Sequence, residues 1–586
     1  MPHFIPPKQW KHRSVAAANQ PIIDSLSTSL KVDEFIAKLL VDRNIHTFED
    51  AKSFFRPTLN DLLDPFLLKD MDKAVVRVQE AIAKQQKIMV YGDYDVDGTT
   101  SVALMYSYLK IHTSAIEYYI PDRYKEGYGI STQGIDYAAA NNFSLIIALD
   151  CGIKSTDKVE YASSKNIDFI ICDHHLPGDT IPAAVAVLDP KRTDCDYPCK
   201  HLSGCGVGFK LLQALNHTLT LKVDTTEWLD LVAISICADI VPIVEENRVL
   251  CTFGLQKIAQ APRLGIKILM DIAGMECVDG LSASVEDVVF KIAPRINAAG
   301  RIDKATKAVE LLLCEDKETA SEVAAKINQD NNSRKEIQEE TIQEAIALAL
   351  QKQDFANLHT TILYSPKWHK GVVGIVASKL IENLAYRPTI ILTQSGDYIG
   401  GSARSVEGFD LYVALEECAE YLEQFGGHAH AAGMTLKLEN LPHFEKKLEE
   451  VVKRTMLPQQ RIPTINYDAA IRLDSITDKN YRIMQQFAPF GPSNMRPIFI
   501  SNPSYVSDYR ILAQKHIKLI LMDKETPTCK YEALSFNNAK EIIQLMDKSH
   551  KQIAISYTLE ENNWMGKKSL QLMLRDVKET NATQSI

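Results

Sequence analysis

Three aspartates at alternate positions, Asp93, Asp95 and Asp97, lie in the stretch KIMVYGDYDVDGTTS at residues 87–101. It opens as an apolar, strand-like run and closes on Gly98, Thr99, Thr100 and Ser101, after which a helix is expected over 102–111. Negative charge this dense in one strand-to-helix turn is costly unless a cation neutralises it. Hard divalent ions that prefer oxygen ligands suit the task. A calcium loop would need Glu at the twelfth position from Asp93, where Leu104 stands. Asp and Gly are also ordinary turn residues, so the triad alone decides nothing.

Further groups of the same chemistry follow. Asp150 ends LIIALDCG, Asp173, His174 and His175 end DFIICDHH, and Asp239 follows the apolar run in AISICADIVPI. Each is read as closing a strand. Ligands of an open parallel sheet bind outside the carboxyl ends of its strands, so Asp93, Asp95, Asp97, Asp150, His174 and Asp239 are expected to meet at one edge. A lone His–His pair is more often structural, but repeated acidic and imidazole clusters at strand ends are hard to explain as turns. Asp with His favours Mn²⁺ or Mg²⁺ over a thiolate zinc site, and the number of carboxylates suggests two ions. Such a pair polarises a phosphoryl group, activates a water and stabilises a leaving oxygen.

The elements needed to position these groups are legible as alternating patterns. Strand-like runs at 87–91, 116–120, 145–149, 168–172 and 185–188 alternate with helical segments at 71–84, 100–112, 131–141 and 155–165. That alternation predicts an α/β fold with a parallel sheet covered on both faces. A helical preamble precedes it, and a mostly helical region runs from 206 to about 350, ending in a long charged helix over 317–351. A second α/β module is expected from about 358 to 455, then a linker. From about 465 the runs PIFIS, SYVSDYRILA, IKLILMD and IAISYTLE suit a small β-barrel. The last residues, ETNATQSI, are expected to fray.

With 586 residues the chain has room for several domains, and 46% hydrophobic content is that of globular protein. No apolar run is long enough to span a bilayer, and MPHFIPPKQWKHRS has no apolar signal core. Eleven scattered cysteines suit a reducing cytoplasm. Cys195, Cys199, His201 and Cys205 are close together, but not in the paired spacing of a zinc ribbon. The net charge of −10 argues against a globally basic nucleic-acid binder, yet local basic tracks suffice for binding. Residues 291–307 carry five Lys/Arg against one Asp, and 367–404 carry Lys367, Lys370, Lys379, Arg387 and Arg404 against Glu382 and Asp397. A solvated surface is the ordinary reading of either track alone.

GDYDVDG, LDCG, CDHH and ADIVPI, in that order, resemble the motifs of the DHH phosphoesterase superfamily. PDRYKEGYG, PRINAAGR, GVVGIVASKL, GSARSVEGFDL, GGHAHAAG and FAPFGPSNMRPIF extend the likeness to its RecJ-type branch, from about residue 50 to about 575. The resemblance implies Asp95, Asp97, Asp150, His174 and Asp239 as metal ligands, Asp93 as a further ligand or a residue behind them, and His175 facing the scissile phosphate. It also implies substrate contacts by Arg123, Arg295, Asn297, Arg301, Ser402, Arg404 and His428, with glycines 400–401 and 426–427 letting backbone approach phosphate. The expected plan is a helical region (1–60), a DHH domain (61–300), a connecting helix (301–355), a DHH-associated substrate-binding domain (356–456) and an oligonucleotide-binding (OB) barrel (462–580), with the two α/β modules forming a groove.

The activity implied is metal-dependent 5′→3′ exonuclease action on single-stranded DNA, releasing mononucleotides in repair and recombination. Direction and exo-action rest on the resemblance alone. The implied partners are single-stranded DNA, with a single-strand-binding protein and a helicase as further candidates, and no membrane. Rival readings are a DHH phosphodiesterase for short oligoribonucleotides or cyclic dinucleotides, a non-catalytic nucleic-acid scaffold, and, more weakly, an inorganic pyrophosphatase. Two departures stand out. Tyr91 occupies a place where many DHH relatives have His, a departure shared with RecJ-like proteins that leaves one ion's coordination open, with Asp93 as a candidate substitute. Ser493 stands where the barrel's FGxGN segment usually has Gly, a change expected to affect the loop and not the function.

Overall fold

The structure, a computed structural model, describes residues 4–13, 19–275, 283–523, 526, 528–564 and 567–580. Most of the tail expected to fray lies outside them. The chain divides into two compact units, Pro57–Glu339 with Pro489–Asn494, and Met1–Arg56 with Glu340–Ala488 and Met495–Ile586.

Strand β1 (Gln9–His12) opens the chain, followed by helices α1 (Gln20–Leu30), α2 (Glu34–Val41) and α3 (Phe48–Phe55). After α4 (Met71–Ala83) comes the α/β layer: β2 (Lys87–Gly92), α5 (Val96–Leu109), β3 (Ile116–Tyr119), α6 (Thr132–Ala140), β4 (Phe143–Leu149), α7 (Thr156–Ser164), β5 (Asp168–Cys172) and β6 (Ala186–Leu188). These strands form one parallel sheet in the order β3-β2-β4-β5-β6. Both faces are covered. Ile88, Val90, Leu145, Ile147 and Ile170 join one core, while Met89, Tyr91, Ile146, Ala148 and Phe169 join another. Burial on both sides is why β2, β4 and β5 read as nearly continuous apolar runs, whereas the edge strand β3, IEYY, is only partly buried.

Helices follow: α8 (Gly204–Thr218), α9 (Leu229–Ala238), α10 (Glu245–Gln260) and α11 (Leu264–Ile272). A single turn, α12 (Val285–Asp287), continues through a π-helical stretch, Val288–Ile292, into α13 (Ala293–Ile302) and α14 (Thr306–Leu313). The expected long helix is α15 (Lys317–Gln351). The run before Asp239 is not a strand but α9, buried along almost its whole length. A continuous apolar run carries no period that separates strand from helix. Helix α5 also begins earlier than expected, at Val96, so Asp97 lies in its first turn.

The other unit contains β7 (Thr361–Tyr364), α16 (Val373–Asn383), β8 (Thr389–Ser395), β9 (Tyr398–Arg404), α17 (Leu411–Glu416), β10 (Gln424–His428), β11 (Ala431–Leu436) and α18 (Leu441–Thr455). Its sheet runs β10-β11-β9-β8-β7 and is mixed. Strand β12 (Thr464–Tyr467) pairs in parallel with β1, which the sequence did not reveal. After β13 (Ala469–Ala470) and α19 (Asp478–Gln485), a five-stranded barrel closes from β14 (Phe499–Leu512), β15 (His516–Met522), β16 (Lys530–Ser535), β18 (Lys567–Glu579) and β17 (Gln552–Trp564), with α20 (Ala539–Lys548) between β16 and β17. PIFIS and SYVSDYRILA are one strand, β14, because its pairing with β17 shifts register between Ser501 and Ser504 and so admits Pro503. No helix is long and apolar enough to cross a membrane among the described residues.

Candidate metal centre

Four neighbouring strands of the parallel sheet each hand over to an aspartate: Asp93 after β2, Asp150 after β4, Asp173 after β5 and Asp189 after β6. Strands β2 and β4 flank the point where the strand order reverses, which is where an open α/β sheet leaves a crevice for ligands.

The centre forms around His174. Its Nε2 lies 3.1 Å from Asp150 Oδ1, 3.6 Å from Asp239 Oδ2 and 3.7 Å from Asp97 Oδ2. These carboxylates come from β4's end, α9's end and α5's first turn. Asp97, His174 and Asp239 each offer a ligand atom within 4.8 Å of the others, as do Asp150, His174 and His175.

Asp97 is fixed from several sides. It accepts the N–H groups of Gly204 and Cys205, each at 2.7 Å, and the Ser235 hydroxyl at 2.7 Å. Ser203 caps α8 through the Gly206 N–H, so the free N–H groups of that helix's first turn point at Asp97. A Cβ on Gly204 would lie 2.5 Å from Asp150 Cβ, so only glycine fits. Asp150 itself has φ +59°, a conformation held by its surroundings at some cost. Asp95 caps α5, accepting the Gly98 N–H at 3.0 Å. Asp93 is buried, and its Oδ1 accepts the Gly129 N–H at 3.3 Å.

Asp173 plays a different part. Its Oδ1 lies 2.7 Å from His175 Nδ1 and accepts the N–H groups of His174 and His175, while Oδ2 accepts the Ile153 N–H. The far side of His175 is also engaged: Nε2 sits 3.2 Å from the Tyr128 hydroxyl, which donates to the Asp150 carbonyl.

The electrostatics follow from this crowding. Burial, then the charges of Asp97 and Asp95, pushes Asp239 up to about 8. Asp150 and Asp93 are driven well above the carboxylate range, first by burial and then by neighbouring aspartates. Burial lowers His174 to about 4, against the pull of Asp97. Burial also works against a charge on His175, but the Asp173 hydrogen bond and nearby carboxylates outweigh it and hold its pKa up to about 8. The same bond overcomes burial at Asp173 and takes it down to about 2. So many carboxylates cannot all ionise together without added positive charge.

The donor set fits divalent cations. It combines carboxylate oxygens with imidazole nitrogen, and Asp93 Oδ2 and His174 Nδ1 are buried with no hydrogen-bond partner among the described residues. Tyr91 is turned away: its hydroxyl donates to the Gly129 carbonyl and accepts the Ser131 N–H, and its ring stacks on Tyr119.

Three family models match in series, the DHH family N-terminal domain over 87–236, the DHHA1 domain over 357–454 and the RecJ OB domain over 467–576. A Bacillus subtilis protein described as the single-stranded-DNA-specific exonuclease RecJ is 37% identical over 562 residues, covering 95% of this chain and 70% of that protein. The chain belongs to the RecJ family. RecJ of Dickeya dadantii is 32% identical over 97% of this chain and 98% of its own length. The crystal structure of Thermus thermophilus RecJ in complex with Mn²⁺ matches at a TM-score of 0.83 and 25% identity, over 98% of this chain and 80% of that one.

The residues that the RecJ resemblance assigns to substrate fall into two groups. In the unit of the metal centre, the Arg123 guanidinium lies 4.7 Å from the ring centroid of Tyr94, between Asp93 and Asp95. Tyr124 donates to the Arg301 carbonyl at 2.5 Å, and Asn297 is half-buried on α13. Arg295 instead donates to Asn328 Oδ1 on α15 and to the Lys291 carbonyl.

In the other unit, Arg404 donates to Ser402 Oγ at 2.7 Å, and His428 stands in register with Arg404 across Ala431. His428 is exposed and not a core histidine. Gly401 is bare for sheet packing, since a Cβ there would lie 2.0 Å from the Ile391 carbonyl oxygen. Arg387 is no part of a basic surface: it is buried, donating to Thr361 Oγ1 and the Phe355 carbonyl.

Sequence reasoning missed several parts of the RecJ-type centre. Asp173 was seen only as part of its motif, and Tyr128 only as part of EGYG. Ser235 gave no signal, being one small residue in an apolar run. Ser203 before a glycine-rich helix start does carry a capping signal. Lys191, held by its N–H to Asp189 Oδ1 at 2.7 Å, brings positive charge toward His174 and Asp239. Cys195, Cys199 and Cys205 are packed into the core, while His201 is exposed.

Proposed function

We propose that this chain is a metal-dependent 5′→3′ exonuclease that degrades single-stranded DNA to mononucleotides. In this reading Asp93, Asp95, Asp97, Asp150, His174 and Asp239 hold two Mn²⁺ or Mg²⁺ ions. The observation that carries it is the approach of His174 Nε2 to within 3.1–3.7 Å of three carboxylates from separate elements, in a chain of the RecJ family. When bound, a pair of such ions polarises the phosphoryl group and stabilises the entering and leaving oxygens of an in-line displacement.

The chain's own residues supply the rest. Asp97 presents oxygens that cannot swing away, because backbone and hydroxyl donors hold them. His175 keeps its proton up to about pH 8, and its Nε2 would exchange the Tyr128 hydroxyl for a phosphate oxygen of the substrate, offsetting charge that develops there. Arg123 and Arg301, beside Tyr94, receive phosphates. Ser402, Arg404 and His428 form a second polar group for the strand, and the barrel offers aromatic surface for stacking. The same reading places the work in the cytoplasm, in repair and recombination, on strands opened by a helicase and coated by a single-strand-binding protein.

Digestion of 5′- and 3′-labelled single strands with Mn²⁺ tests the assignment. Mononucleotides released from the 5′ end, with duplex spared, are expected. Asp150→Ala should abolish turnover while leaving strand binding. Release from the 3′ end, equal cutting of duplex, or preference for a dinucleotide over a forty-mer would overturn it.

A further inference from the structure

Phe290, 74% exposed, is more open to solvent than any other large apolar side chain among the described residues. It stands in the π-helical stretch Val288–Ile292, an interruption of a kind frequent at functional sites. An exposed phenyl ring forgoes the burial that normally stabilises it. The segment is otherwise well packed, with Val285, Val288, Ile292, Ile296 and Ala299 buried along one side.

The opposite side carries Phe290, Pro294, Asn297 and Arg301, each half-buried or exposed. Pro294, Asn297 and Arg301, three and four residues apart on α13, share one helical face, and Phe290 is exposed in the π-helical turn that leads into it. That face leads to the metal centre. A Cβ on Gly300 would lie 2.8 Å from the Tyr94 carbonyl oxygen, and Tyr124 donates to the Arg301 carbonyl. From Arg301 back to Phe290 is about 16 Å at 1.5 Å per residue. A single strand at 3.4 Å per nucleotide covers that distance in at most about five nucleotides.

We propose that Phe290 is a stacking platform for one base of the single strand, which lies along α13 with a phosphate at Arg301. The proposal rests on the exonuclease reading. A lone ring on this face, within a segment rich in Lys and Arg, suits the π-face of a nucleobase. A protein partner would need a contiguous apolar patch, and the rest of this face is polar or small.

The test uses the full chain. Affinity for a 5′-phosphorylated single-stranded 20-mer is measured in EDTA, and KM and kcat are measured with Mn²⁺. Phe290→Ala should weaken binding and raise KM roughly tenfold with little change in kcat, while Phe290→Trp stays near wild type. A set of strands with one abasic site at nucleotides two to six should show one position that costs the wild type a similar factor and costs Phe290→Ala nothing further. Equal affinity of wild type and Phe290→Ala, or equal sensitivity of both at every abasic position, overturns the proposal. A wild type that binds, shows the Phe290 effect and fails to cut from the 5′ end overturns the exonuclease reading alone. A wild type that does not bind the strand overturns both.

Discussion

Asp173 Oδ1 lies 2.7 Å from His175 Nδ1, and the same carboxylate also accepts three backbone N–H groups. Through these bonds Asp173 holds the His175 ring in place. The pairing makes His175 a cation near neutrality, fixed through Nδ1, with Nε2 directed at the Tyr128 hydroxyl 3.2 Å away.

Asp173→Asn should therefore lower kcat/KM by roughly 10–100-fold, the usual cost of losing an orienting partner. In the proposed mechanism His175 acts in its charged form, so activity should fall as pH rises through its pKa. That alkaline limb, near pH 8 in the wild type, should move toward 6.5 in the variant. A pH–rate profile at saturating Mn²⁺ checks the shift.

The metal-free protein should lose stability as pH rises from 6.5 to 8. Asp239 and His175 both have folded pKa values of about 8, above their unfolded values, so the folded state holds protons that the unfolded state releases. His174, at about 4, opposes the trend only near pH 6.5, where its unfolded imidazole still holds part of a proton, and the two raised groups outweigh it. A bound divalent ion displaces the Asp239 proton, so its affinity should grow with pH across the same interval. Thermal melts in EDTA and in Mn²⁺ should diverge from pH 6.5 to 8; parallel curves would count against the site.

The parallel sheet was legible because β2, β4, β5 and β6 carry apolar runs that each end at an aspartate, and both faces of these strands are buried. Asp239 was placed at the right edge through the wrong element, because α9 has no polar face to give it a helical period. The contacts of Ser235, Gly204 and Asp97 join three elements and leave no local pattern. Strand β1, QWKH, is short and mixed in character, and exists through its pairing with β12. Arg387 and Arg404 look alike in the sequence, yet the first is spent on buried carbonyls, which only the tertiary structure decides.

Tyr91 serves the fold and not the centre. Tyr91→Phe would leave the buried Ser131 N–H and Gly129 carbonyl without their partner, at a cost of about 1–3 kcal/mol. Mn²⁺ affinity and activity per folded molecule should be unchanged, which denaturant titration and Mn²⁺ titration can establish together.

Ser493 has φ +61° in the turn closed by Gly491 and Asn494. A left-handed conformation costs a non-glycine residue about 1–2 kcal/mol, and glycine gives back about half of the gain in chain entropy. Ser493→Gly should thus stabilise the protein by about 0.5–1 kcal/mol in denaturant titration, with nuclease activity unaltered.

The proposed activity depends on two cations gathered by distant side chains. The most direct test is anomalous diffraction from crystals soaked in Mn²⁺. It should reveal two peaks bounded by Asp93, Asp95, Asp97, Asp150, His174 and Asp239, both lost in Asp150→Ala. Saturating Mn²⁺ that leaves these side chains unliganded, or binds elsewhere, would contradict it.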